Sequence, residues 1–264
     1  PFNAVKVLGG VLHDKHDVNP LLLMEALETW LKLREQKRPE EAEPHHAIYE
    51  IQQLFKRLQS DPNADTQRLA KLEWGYLGLL NNRSASPKTL LRLLRTEPRF
   101  FADLLSLIFR SDKESEESAE TPTEEQKTRA ENAYRLLTEW KSIPGLQEDN
   151  IVDEQELLAW VTEARRLCEE SGRLAVCDHA IGEVLANAPR EANGTWPCIP
   201  VRDIIEEVNS EALSRGFEIG VFNKRGVFTK SPISGGEQER TFAQQYTSYA
   251  EACAIEWPIT AAAL

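Results

Sequence analysis

The residues best spaced to meet a charged partner are basic. Lys88, Arg92, Arg95 and Arg99 recur at steps of four, three and four, with Arg83 just upstream. On a helix this spacing lines the first three along one face while Leu90, Leu91 and Leu94 take the opposite side. A second group, Arg215, Lys224, Arg225 and Lys230, surrounds a Gly-containing stretch later in the chain. Both groups suit an acidic partner, either a protein surface or a phosphate backbone. The plainer reading, a solvated polar face, stands beside it.

Other constellations are weaker. His13 and His16, interleaved with Asp14 and Asp17, form an i, i+3 pair able to chelate a metal, but the segment offers no obvious further ligands. A solvated helix end, where histidine favours the C-terminal dipole, explains them better. His45-His46 reads the same way. Cys168, Cys177, Cys198 and His179 lack the tight CxxC spacing that marks a zinc site, and apolar neighbours make Cys177 a small core residue. No Walker A sequence, dinucleotide fingerprint, nucleophile elbow or HExxH helix is present. Gly235-Gly236 offers N–H groups before a helix but no following lysine, so it reads as a cap. Glu169-Glu170 and Glu206-Glu207 are expected to be solvated. These readings assign no catalytic residue, no metal and no cofactor.

The elements that must position these side chains are helical. Asn19-Pro20 and Ser86-Pro87 each have the form of an N-cap followed by proline at the first helical position. Apolar residues at helical spacing predict helices before His13, after Pro20, over 45–59, from Leu69 to Leu80, and over 88–95. Residues 100–110, apolar on nearly every side, predict a buried central helix. Further helices are expected over 124–142, after the cap Asp153 to a stop at Gly172, over 174–187, from Pro200 to Gly216, and over 236–256. The alternation of Phe217, Ile219 and Val221, followed by Asn223 to Gly226 and Val227 to Thr229, predicts one short β-hairpin at 217–229.

The fold class is therefore all-α, with an irregular α-solenoid of antiparallel helix pairs favoured over a compact bundle, since no fixed repeat length recurs. Residues 111–123 are acidic and free of large apolar groups. They read equally as a linker between helical parts at 1–110 and 124–264 or as a long loop inside one continuous domain.

The 264 residues carry 31 basic and 43 acidic side chains, a net charge of −12, which argues against a generally basic nucleic-acid binder. The charge is uneven: residues 1–110 have 16 basic and 14 acidic groups, and residues 111–264 have 15 and 29. The exclusion is thus weaker for the first part, where the 88–99 face lies. No apolar run approaches a membrane span. Four scattered cysteines suggest a reducing cytoplasm rather than a disulfide framework, and without a secretory signal Asn193-Gly194-Thr195 is not favoured as a glycosylation acceptor. The opening at Pro1, in mid-pattern, reads as the start of a segment cut from a longer protein.

Several strings carry a resemblance: Ser86-Pro87-Lys88-Thr89-Leu90, RTEPRFFADLLSLIFR from Arg95, AENAYRLLTEW from Ala130, GRLAVCDHAIGEVLANAP from Gly172, Gly194-Thr195-Trp196-Pro197, and RGFEIGVFNKRG from Arg215. Over about residues 65–257 the chain resembles the helical C-terminal part of large, uncharacterised bacterial multidomain proteins. The resemblance implies a bacterial cytosolic origin and missing upstream sequence, and it transfers no catalytic residue. The expected function is a non-catalytic helical scaffold or interaction module for a protein partner or the rest of its own chain. A nucleic-acid-linked accessory domain using the 88–99 face is the first alternative, and an enzyme of unrecognised type the second.

Overall fold

The computed structural model describes residues 2–13, 18–36, 45–80, 85–113, 121–224 and 236–264. Among them are fourteen helices and no strand. The first six are α1 (Phe2–His13), α2 (Pro20–Gln36), α3 (His45–Gln59), α4 (Thr66–Gly75), α5 (Leu77–Leu80) and α6 (Lys88–Thr96). There follow α7 (Pro98–Ile108), α8 (Glu124–Glu139), α9 (Glu154–Glu170) and α10 (Leu174–Leu185). The last four are α11 (Ile199–Val208), α12 (Glu211–Lys224), α13 (Glu237–Cys253) and α14 (Pro258–Ala262).

Contacts divide the chain into two compact units, Pro1–Leu93 and Leu94–Leu264, with the division inside α6. In the first unit, the apolar stripes of α1 to α4 meet in a core that includes Leu23, Leu27, Ile51, Leu54, Phe55 and Tyr76. Tyr76 stands edge-on to Phe55 at 5.4 Å, and its hydroxyl donates to the Leu27 carbonyl at 2.7 Å. That bond satisfies the one polar atom a buried tyrosine brings with it. Asn19 caps α2 as its position before Pro20 predicts, accepting the Leu21 N–H at 2.9 Å.

In the second unit, α7 buries Phe101, Ala102, Leu104 and Leu105. Phe101 closes a triangle of rings with Trp140 and Trp160, centroids 5.1 to 5.6 Å apart. The helix is less enclosed than its apolar sequence predicts, because Leu107 and Phe109 each keep 39% of their surface exposed. The caps of this unit follow the sequence: Asp153 accepts the Glu156 N–H at the start of α9, and Gly172 takes a left-handed φ of 67° just past its end. Residues 114–120 of the acidic stretch lie outside the described residues. Ser111 Oγ donates to the Ser171 carbonyl at 2.7 Å and the Asp112 N–H to the Gly172 carbonyl at 2.8 Å, so the stretch leaves from a point held on the end of α9.

Helices α9 and α10 follow one another across the short turn at 171–173 and are bridged by Arg165 and Asp178 at 2.8 Å. One close pair of helices departs from the expected antiparallel arrangement. His179 of α10 lies against Gly216 of α12, Glu183 against Gly220, and the Ala186 carbonyl against the Lys224 ammonium, so α10 and α12 run parallel. A β-carbon added at Gly216 would lie 2.0 Å from the His179 carbonyl oxygen, and one at Gly182 would lie 2.1 Å from that of Leu213.

This pairing also corrects the hairpin expected at 217–229. Residues 217–224 are the last two turns of α12, while 225–229 lie outside the described residues. The alternation of Phe217, Ile219 and Val221 conceals a helical stripe in which Leu213, Gly216, Phe217 and Val221 are buried at spacings of three, one and four. Each glycine costs a helix roughly 1 kcal/mol of propensity, and the contact with α10 offsets that cost. Gly216 consequently lies in mid-helix. The stop assigned to it falls at Asn209, in the left-handed region with φ 44°.

If glycine permits this approach, Gly216→Ala will lower the unfolding free energy by roughly 3 kcal/mol, the upper range for overpacking a close contact. Gly10→Ala, where a β-carbon meets nothing within 4 Å, will raise it by up to about 1 kcal/mol through helix propensity. Urea titration of both variants checks the contrast, and an unaltered midpoint for Gly216→Ala would contradict the helix–helix contact.

Candidate functional site

Lys88 and Arg92 are exposed on α6, which buries Leu90 and Leu94 against the protein. The start of this helix is held in an unforeseen way. Ser86-Pro87 promises a local cap, but the acceptor is Glu73 of α4, completely buried. Its carboxylate takes the Thr89 N–H at 3.1 Å, the Leu90 N–H at 2.9 Å and the Gln59 side-chain amide at 2.8 Å. A carboxylate there answers both the unpaired amides of the first turn and the positive end of the helix dipole. Burial pushes the Glu73 carboxyl above its ordinary value, opposed by these hydrogen bonds. The sequence did contain a signal, because Leu69, Leu72, Glu73 and Tyr76 fall on one helical stripe and a carboxylate there needs donors.

The other two members of the expected basic face are differently engaged. Arg95 donates to the Leu146 carbonyl at 3.2 Å, which commits it to a structural contact. Arg99, at the start of α7, is exposed.

The second basic group leads to a cavity in the second unit, an open groove of about 880 Å³. Leu105 and Ile108 of α7, with Phe109, form one side, and Tyr134 and Leu137 of α8, with Trp140, form another. Helix α10 supplies Ala175, Val176, Ala180 and Val184, and α12 closes the remaining side with Ala212 and Gly220. Most of the exposed lining is apolar, and polar and charged side chains such as Thr138, Glu183, Asn187 and Asn223 are interspersed with it. Arg215 and Lys224 both line it, joined by Lys141 and His179. Arg225 and Lys230 lie outside the described residues.

Lys224 is anchored on the way to this groove. Its ammonium donates to the Ala186 carbonyl at 3.2 Å and stands 4.9 Å from the centre of the Trp196 ring. Burial of the ammonium, followed by the charge of Arg190, holds it below the ordinary lysine value. Lys141 and Arg215 are exposed and have no ion-pair partner among the described residues.

The cysteines are all buried and unbridged. Burial pushes the Cys198 thiol up to about 11, and Cys177 is a core residue, as its neighbours predict. Among the described residues no three His, Cys, Asp or Glu side chains converge as a metal site would require. No described helix is long and apolar enough to cross a membrane. Glu206 departs from its expected solvated role: its carboxylate receives the Ile259 and Thr260 N–H groups at 3.2 and 2.7 Å, holding the start of α14. Comparison with family models, curated proteins and solved structures gives no match.

Two outcomes are expected at Glu73. Glu73→Ala leaves the buried Thr89 and Leu90 N–H groups without an acceptor and will cost roughly 3 kcal/mol of unfolding free energy. The folded chain also holds the Glu73 proton more tightly than the unfolded chain, so this group's contribution is fully present below the ordinary value of 4.5 and declines as pH rises through the shifted value. Glu73→Gln cannot titrate. Urea unfolding at successive pH values will therefore show wild type gaining on Glu73→Gln as pH falls towards 4.5. A pH-independent difference would rule out the shift.

Proposed function

We propose that this chain is a non-catalytic helical scaffold or protein-interaction module of a larger bacterial protein, with the groove of the second unit receiving an apolar segment of a protein partner. The observation that carries the reading is that opening: four helices leave uncovered about 880 Å³ of mainly apolar space. Removing such surface from water on binding stabilises a complex by about 25 cal/mol per Å² of apolar area, before the costs of association. The resemblance to helical parts of multidomain proteins points the same way. The four unbridged cysteines support a cytoplasmic setting. An irregular solenoid is the favoured organisation within the second unit, with the parallel α10–α12 pair as a departure from it.

Selection from a displayed library of random peptides about 16 residues long, roughly the length that spans two dozen ångströms as a helix, tests the reading. Ala175→Trp fills the groove from an exposed position. Selected peptides are expected to share apolar residues at helical spacing and to bind this variant at least tenfold more weakly than wild type. Selection of no binder, or only of binders indifferent to Ala175→Trp, would overturn it.

A further inference from the structure

We infer that the groove selects an acidic amphipathic helix about three turns long; this rests on the interaction-module reading and names the partner's chemistry.

Its length follows from α10. Residues 175, 176, 179, 180, 183 and 184 of this helix, with 187 just beyond its end, line the groove, adjacent pairs recurring every four positions. They form one continuous stripe over twelve residue steps, about 18 Å at 1.5 Å per residue. A stripe of that form is what one helix offers to another. Residues 134, 137, 138 and 141 repeat the pattern along and just beyond α8. The occupant therefore meets two helical stripes, on which Ala175 and Glu183 of one and Tyr134, Thr138 and Lys141 of the other are exposed.

The occupant's conformation follows from what the walls lack. A peptide bound as an added strand needs a sheet edge to take up its backbone N–H and C=O groups. Among the described residues there is no strand and hence no such edge. A segment entering mainly apolar walls must satisfy its backbone internally, and the helix is the conformation that does so.

Its charge follows from a local inversion. Residues 111–264 carry 15 basic and 29 acidic side chains, yet the groove is lined by Lys141, Arg215 and Lys224 against Glu183 and Glu211. Two of those cations, Lys141 and Arg215, have no carboxylate partner within the described chain. A basic occupant would meet an acidic protein around the groove and unpaired cations within it. An acidic one pairs with those cations, and such complementarity decides specificity more than raw affinity.

The experiment uses the full chain and two synthetic helical peptides sharing one apolar stripe of leucines, one with glutamate and the other with lysine at every polar position. Fluorescence anisotropy at low salt is expected to show the glutamate peptide binding at least tenfold more tightly. Raising salt to about 0.5 M will shrink the preference, because exposed charges are screened within a few ångströms there. The exposed double variant Lys141→Glu/Arg215→Glu will remove or reverse it, with circular dichroism confirming an unchanged helix content. Equal affinities, a preference for the lysine peptide, or indifference to the double variant overturns the acidic helix while leaving the interaction-module reading intact. If neither peptide binds, both the inference and that reading fail. Two further arms identify rival occupants. Stoichiometric uptake of dodecanoate, blocked by Ala175→Trp while the glutamate peptide stays unbound, would assign the groove to a small anionic amphiphile. Self-association abolished by Ala175→Trp would assign it to a second copy of this chain. Either result overturns the proposal.

Discussion

The second unit depends on how closely α10 and α12 approach. Gly182 on one helix and Gly216 on the other meet backbone directly, Gly220 meets the Ala186 β-carbon and the Glu183 backbone, and each neighbour lies where a β-carbon would have to go. Close approach maximises dispersion contacts along two parallel helices, at the cost of three residues with poor helix propensity. It also sets the site. The backbone of His179 is locked against Gly216 and that of Glu183 against Gly220, while the side-chain stripe of α10 that contains both residues lines the groove together with Arg215 and Lys224 of α12.

A second theme is the use of carboxylates, one buried and one half-buried, to hold helix ends supplied by distant sequence. Glu73 does this for α6 and Glu206 for α14. Asp178, buried beside Arg165, ties α9 to α10 by charge instead. Breaking such a pair costs more than forming it gains, because the stranded partner stays desolvated. In an acidic chain these residues look like ordinary surface. What distinguishes them is position: Glu73 and Asp178 sit among buried positions of their own helices, where an unpartnered carboxylate would be too costly to keep.

Helices were legible wherever a cap residue and an apolar stripe agreed, as at Asn19-Pro20 and at Asp153 with Leu157, Trp160 and Val161. They were misread where the stripe contained glycine. In α12 the small residues that permit close packing also remove hydrophobic signal, so Phe217, Ile219 and Val221 looked like a strand. The groove was legible only in part. Arg215 and Lys224 stood out as cations, but its apolar walls come from four helices, each of whose lining residues looks like ordinary core sequence.

The sequence by itself determined that this is a helical protein, where many of its helices begin and end, and that Cys177 joins the core, because those properties depend on neighbours within one or two turns. Only the tertiary structure decided that α10 and α12 run parallel, that Glu73 rather than Ser86 holds α6, and that Arg95 is spent on a carbonyl while Arg215 faces an open groove. Those outcomes depend on backbone approach and on hydrogen bonds between residues 16 to 51 positions apart. Local periodicity carries no information about which distant donor, acceptor or glycine will arrive there.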